Sequence, residues 1–169
     1  LNQNNYPIFV ETGTYSGTTI LAVEPYFDEL HTIEIKPAQY EEAASKYNGE
    51  KITFHLGDSM IVLKDIIPEL NKSTIFFLDA HWSEGSTGKG IIDVPLIEEI
   101  KVINKLFIYN AVIIVDDFRL FGTGPKTGDN VNWEDINENI IDEILKERII
   151  KKEYKESIIC ENDRIIYWI

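Results

Sequence analysis

Short apolar runs alternate along the chain with stretches whose apolar residues recur at helical spacing. Ile8–Glu11 (IFVE) reads as a strand ending at a glycine-rich turn, and Thr18–Tyr26 reads as a helix ended near Pro25. Leu30–Ile35 (LHTIEI) predicts a second strand, and Pro37 is well placed to open a helix over Ala38–Tyr47. A third strand, Ile52–Leu56 (ITFHL), precedes a helix over Ser59–Leu70. Thr74–Leu78 (TIFFL) and Ala111–Val115 (AVIIV) are apolar throughout, as parallel strands buried on both faces should be. Between them a polar, glycine-rich loop, Asp79–Gly90, leads to a helix with the stripe Leu96, Ile97, Ile100, Ile103 and Leu106. The loop DDFRLFGTGPKTGDN follows, then a helix over about Trp133–Lys146. Two β segments near Ile149–Cys160 and Arg164–Ile169 close the pattern, with Glu161-Asn162-Asp163 as the hairpin turn.

Five β/α units followed by a hairpin predict an α/β fold: a doubly wound parallel sheet with an antiparallel C-terminal hairpin. No internal repeat or low-complexity tract interrupts it, and 169 residues suit a single domain over 1–169. The chain starts at Leu1 rather than Met, as a domain excised from a longer chain would, which leaves room for further domains or a homo-oligomer.

Composition narrows the partners. Apolar residues make up 44% and charged residues 27%, enough to bury a core. With 16 Lys+Arg against 29 Asp+Glu, the formal charge is −13, which argues against nucleic acid. Lys151, Lys152 and Lys155 do cluster, but Glu153 and Glu156 alternate with them, as on a solvated strand face. No apolar run approaches the ~20 residues that span a bilayer. The opening LNQNNYP lacks the basic and apolar parts of a secretory signal, and the single Cys160 excludes an intrachain disulfide. An intracellular, cytoplasmic setting is therefore expected.

In a doubly wound sheet, ligands bind beyond the C-terminal ends of the strands, where the strand order reverses. The first strand ends in Glu11-Thr12-Gly13-Thr14-Tyr15-Ser16-Gly17, where glycines allow close approach of backbone and the next helix offers unpaired N–H groups. A dinucleotide fingerprint fails here because Tyr15 takes the second glycine's place. A P-loop reading of Gly85–Gly90 fails too, with Ser83 for its first glycine and Gly90 for its hydroxyl residue. The second strand ends in Glu34-Ile35, an acid spaced to accept from both hydroxyls of a ribose. The third leads to Gly57-Asp58-Ser59, where Asp58 either accepts from an adenine amino group or caps the following helix. With no Lys or Arg among them, these residues describe a pocket for an adenosine without phosphates. The fourth strand ends in Asp79-Ala80-His81-Trp82 and the fifth in Asp116-Asp117. Three carboxylates around one volume repel one another unless protonated or neutralised by a cation, and oxygen-rich sites suit Mg²⁺ or Mn²⁺. The alternative is that Asp117 caps a turn while Asp79 binds cofactor alone. His81 is the candidate base, whereas His31 and His55 lie within strands and read as structural.

ETGTYSGTT resembles the E-x-G-x-x-x-G-x-[ST] form of motif I in class I S-adenosylmethionine-dependent methyltransferases, the form found in metal-dependent O-methyltransferases. FLDAHWSEGSTGKGIIDVPLIEEI and IIVDDFRLFG are similar to segments of macrocin/mycinamicin-type sugar O-methyltransferases and their relatives in glycan biosynthesis. The resemblance runs from about Ile8 to Ile169 and implies the Rossmann-like fold of that class. It implies that Glu11 through Gly17 hold the methionine end of S-adenosylmethionine, Glu34 the ribose, and Asp58 with Ser59 the adenine side. It also implies Mg²⁺ on Asp79, Asp116 and Asp117, and a small-molecule or glycan acceptor bound through adjacent hydroxyls. Catechol-type relatives carry a lysine base where Trp82 stands, and family members begin with helices that cover the cofactor. Here that cover is expected from sequence outside the chain, from a partner subunit, or from the loops at 81–94 and 117–131.

The expected activity is Mg²⁺-dependent O-methylation of a sugar or glycan hydroxyl. A catechol-like small-molecule O-methyltransferase, a metal-dependent hydrolase and a non-catalytic module of a glycan-modifying protein are the competing readings. Trp82, Phe118 and Phe121 either stack on a sugar ring or pack beneath the loops.

Overall fold

Alternating strands and helices wind into one seven-stranded sheet, described by a computed structural model over residues 5–83, 85, 87–125 and 131–169. The 126–130 part of the expected loop, and Ser86 of the glycine-rich stretch, lie outside the described residues. The strands are β1 (Ile8–Thr12), β2 (Glu29–Glu34), β3 (Ile52–Leu56), β4 (Thr74–Leu78), β5 (Ala111–Val115), β6 (Lys151–Lys155) and β7 (Arg164–Trp168). Their order is β3-β2-β1-β4-β5-β7-β6, parallel except for the last two pairings, so the predicted C-terminal hairpin is present.

Each strand presents alternate residues to opposite faces. From β1, Ile8 and Val10 join a core with Phe76 and Leu78 of β4 and Ile113 and Val115 of β5, while Phe9, Ile75, Phe77 and Val112 join a second core across the sheet. The first core is closed by α3 (Ser59–Ile66), α4 (Leu96–Leu106) and α5 (Glu138–Leu145), through Leu63, Ile100, Ile103 and Ile141 among others. Ile20 of α1 (Thr18–Val23) enters the second, and α2 (Pro37–Ser45) lies beside it, with Ala43 buried and Tyr47 just beyond packed on that core.

The expected helix over Trp133–Lys146 is shorter than its apolar spacing suggested. Asn137 accepts from the N–H of Ile140, capping α5 at Glu138, while Trp133 and Ile136 are buried as loop residues. The expected helices over Thr18–Tyr26 and Ser59–Leu70 likewise tighten into single 3₁₀ turns, at Glu24–Tyr26 and Ile67–Glu69, each with a proline at its start. The hairpin edge is defended by charge. Lys152 reaches Asp142 at 2.7 Å, and the Tyr167 hydroxyl donates to the same carboxylate at 3.0 Å, tying β6 and β7 to α5. No helix among the described residues is long and apolar enough to cross a membrane.

Strand order reverses between β1 and β4, and the register there builds the site. Thr12 pairs with Leu78, and beyond the strands the Asp79 N–H still donates to the Thr12 carbonyl at 3.2 Å. Gly13, at φ +87, packs so tightly that a Cβ would lie 2.6 Å from the Asp79 carbonyl oxygen. Any side chain there would force the two strand ends apart.

Phe76 is fully buried and meets Phe107 edge-on at 5.1 Å, so Phe76→Ala is expected to cost about 3–5 kcal/mol. Ile108, 82% exposed, supplies the control: Ile108→Ala should stay within about 0.5 kcal/mol in urea denaturation.

Candidate functional site

A cleft of about 320 Å³ opens where β1, β2, β3 and β4 end. Gly13, Tyr15, Glu34, Ile35, Gly57, Asp58, Ser59, Asp79 and His81 line it, so the sequence motifs after four strands converge as expected. The first segment contributes less surface than its motif implies. Glu11, Thr12 and Thr14 are buried beneath the lining, and Ser16 and Gly17 do not line it. Instead Thr32 donates to Glu11 at 2.5 Å and shares a 2.6 Å hydrogen bond with Thr14, a chain dictated by the pairing of Glu11 with Thr32 across β1 and β2. Burial pushes the Glu11 carboxyl up to about 8 against the Thr32 hydrogen bond, and Glu34 raises it further.

Glu34 is oriented by backbone. Tyr15, held at φ 45, donates its N–H to Oε2 at 2.8 Å, and Lys36 donates its N–H to Oε1 at 2.9 Å. The carboxylate is thus fixed while each oxygen keeps acceptor capacity on a wall of the cleft. Asp58 does what the cap reading anticipated, accepting from the Met60 N–H at 3.1 Å at the start of α3. Its other oxygen accepts from the N–H of Ile91 at 3.3 Å. That bond belongs to a strap absent from the sequence reading of the pocket: Thr87, Gly88, Gly90, Ile92, Asp93 and Pro95 line the same cleft. Gly90 packs so closely that a Cβ would lie 2.8 Å from Asp58 Oδ2. Described residues of the loop at 81–94, one of the covers considered for the cofactor, thus line the cleft. No Lys or Arg appears among the described residues of the lining.

At its other end the cleft meets an acidic cluster. Asp79, His81 and Asp117 each offer a ligand atom within 4.8 Å of the others. His81 Nδ1 lies 3.9 Å from Asp79 Oδ1 and Nε2 lies 3.4 Å from Asp117 Oδ2. Burial first, then Asp116, Asp117 and Glu11, push Asp79 up to about 8, while Arg164 pulls the other way. Burial lowers His81, with Asp117 opposing. Asp116, expected beside Asp79 and Asp117 as a ligand, has both oxygens on Arg164, at 3.2 and 3.1 Å. Arg119 Nη1 stands 2.5 Å from Asp117 Oδ1 and 2.5 Å from Asp163 Oδ2. The sequence reading missed both arginines, because Arg164 lies 48 positions from Asp116 and Arg119 lies 44 from Asp163, and the antiparallel pairing of β5 with β7 brings these partners together.

Phe118 and Phe121 pack beneath the loops, while Trp82, packed on the same core, also lines the cleft. Trp82, Phe118 and Phe121 are half-buried against the core, and Trp133 meets His81 at 5.2 Å and Phe121 at 6.1 Å. His31 and His55 are structural as read, 3.0 Å apart, with burial and then the neighbouring His31 lowering His55 to about 4. Glu99 lies on the buried face of α4, beside Leu96, Ile100 and Ile103. It is fully buried, neither carboxyl oxygen makes a hydrogen bond of good geometry, and burial raises it to about 7 while the nearby hydroxyls of Ser59 and Thr12 pull the other way.

The donor types fit both expected groups. A glycine-floored cleft lined by carboxylates, with no Lys or Arg among its described residues and with Glu34 fixed by backbone, suits an adenosine without phosphates, and two carboxylates with an imidazole suit a divalent cation. Asp79, raised by its anionic neighbours, marks a place where positive charge is favourable.

This sheet order and hairpin are the fold of class I S-adenosylmethionine-dependent methyltransferases. No protein-family model and no curated protein sequence matches the chain. Among solved structures it resembles an amino pentose methyltransferase from Micromonospora echinaspora involved in calicheamicin biosynthesis, solved with S-adenosylmethionine bound, at 9% identity and TM-score 0.62 over 98% of this chain and 84% of that one. The N-methyltransferase NodS from Bradyrhizobium japonicum WM9 matches at 12% identity and TM-score 0.58, covering 95% of this chain and 83% of that one. Spermidine synthase from Thermotoga maritima also matches, at 10% identity and TM-score 0.62, covering 98% of this chain and 54% of that one. At these identities the likeness shows the fold.

A buried acid with a raised folded-state pKa contributes stability at low pH that is lost as pH rises through that pKa. Wild type should therefore lose more stability than Glu99→Gln between pH 4.5 and about 7, a difference read by urea denaturation across that range.

Proposed function

We propose that the chain is an S-adenosylmethionine-dependent O-methyltransferase that uses Mg²⁺ or Mn²⁺ and acts on a sugar or glycan bearing adjacent hydroxyls. The observation that carries this reading is the backbone-fixed Glu34 in a cleft that runs directly into Asp79, His81 and Asp117. Bound S-adenosylmethionine supplies the activated methyl group. Glu34 accepts from its ribose, Asp58 and Ser59 border its base, and Gly13 lets the backbone approach its amino-acid end. The strap from Thr87 to Pro95 keeps water from the adenosine side. Asp79 and Asp117 would hold the cation, which lowers the acceptor hydroxyl's pKa. His81 takes the hydroxyl proton, because it lines the cleft between those two carboxylates and burial favours its neutral form.

Calorimetry tests the cofactor half. Charge-assisted hydrogen bonds contribute about 1.5–3 kcal/mol, so Glu34→Ala should weaken S-adenosylmethionine binding at least tenfold. Unchanged affinity in a folded variant would remove Glu34 from the site. A glycan panel with radiolabelled methyl donor tests the reaction, and excess EDTA should abolish transfer while cofactor binding persists. His81→Gln should lose ~10²–10⁴-fold in kcat with cofactor affinity nearly unchanged, since glutamine keeps a hydrogen bond but takes no proton. Near-normal turnover would leave water or an aspartate as the base.

A further inference from the structure

Four carboxylates meet at the ends of β4, β5 and the start of β7: Asp79, Asp116, Asp117 and Asp163. Two guanidiniums face them. Arg164 is committed to Asp116 through two nitrogens, a fork that fixes both partners. Arg119 is divided, with one nitrogen serving both Asp117 and Asp163.

The two claims on Arg119 are unequal. Asp163 is fully buried, and its burial cost is outweighed by the Ser157 hydroxyl at 2.6 Å, the Arg119 N–H at 3.2 Å and the guanidinium itself, which together hold it below the usual carboxylate range. It remains an anion with hydrogen bonds of its own. Asp117 faces the cleft-side cluster, is held in the left-handed region at φ 61, and points its other oxygen at His81. The side chain of Arg119 is 29% exposed, which leaves it room to shift between partners.

We propose that Arg119 is the internal countercation of this cluster: it bridges Asp117 to Asp163 when no cation is bound and retreats onto Asp163 when a divalent cation takes Asp117. It is a positioning residue whose competition for Asp117 sets cation affinity. This rests on the cation half of the function proposed above.

The test is Mn²⁺ binding, followed by calorimetry and by loss of the free-ion electron paramagnetic resonance signal, with near-ultraviolet circular dichroism to check folding. Arg119→Gln should bind Mn²⁺ about tenfold more tightly, because Asp117 is released. Asp163→Asn should bind it about tenfold more weakly, because Arg119 then stays on Asp117. A purely structural link would weaken binding in both variants. Arg119→Gln strands a buried anion and is at risk of misfolding, so the Arg119→Gln, Asp163→Asn double variant is decisive. It leaves net charge unchanged yet frees Asp117, and it should bind Mn²⁺ more tightly than wild type. Equal or weaker binding by the folded double variant overturns the competition. Failure of wild type itself to bind Mn²⁺ overturns the cation reading, and the competition with it.

Discussion

Glu11 and Asp79 sit in low-dielectric surroundings at the ends of adjacent strands, each within the field of the other, and an ionised carboxylate there is costly unless something positive or hydrogen-bonding accompanies it. Much of the upper rim of the sheet is a response to that cost. Thr14, just past β1, and Thr32 of β2 chain together to give Glu11 a donor. The last strand brings an arginine to Asp116, and the turn after β5 brings another to Asp117. What is left unneutralised points into the cleft. A scaffold that concentrates buried acids at one strand end favours positive charge there, and that electrostatic demand links the cleft to the acidic cluster beside it.

The sheet was legible where burial was two-sided. Thr74–Leu78 and Ala111–Val115 were read to the residue because an apolar run bounded by polar residues marks its own ends; the edge strand Ile52–Leu56, with only Ile52 buried, was read to the residue as well. The last helix was not, since Trp133 and Ile136 carry helical spacing but are buried by loop packing, and Asn137 decides where the helix begins. At the site, every strand-end acid was visible, because the position after a strand is a local property. Their neutralising partners were not. Arg164 looks like an ordinary strand residue and Asp163 like a turn former, and only the antiparallel pairing of β5 with β7 reveals what they face. Glu99 was hidden for the opposite reason: three residues past Leu96 on an amphipathic helix, a glutamate reads as solvated surface.

The strap shows how a failed motif can still carry information. Gly88 and Gly90 did not satisfy a phosphate-binding pattern, and the structure gives them a different task, close backbone approach to Ile35 and Asp58. Without a side chain they permit close contact, and the partner is protein rather than phosphate.

The tie between Asp163, Ser157 and Arg119 also has a meaning for how the molecule is made. Strands β1 to β4 and the cleft between them come from the first part of the chain and can assemble as it emerges during synthesis. The acidic cluster cannot, because Asp163 and Arg164 belong to the final strand and its turn. Until that strand inserts beside β5, Asp116 stands without Arg164, and Arg119 has Asp117 but not Asp163. The residues of β7 and its turn, made after the other strands, thus help to make the acids at the end of β5 tolerable, so a chain cut short before β7 would lose the cluster before it lost the cleft.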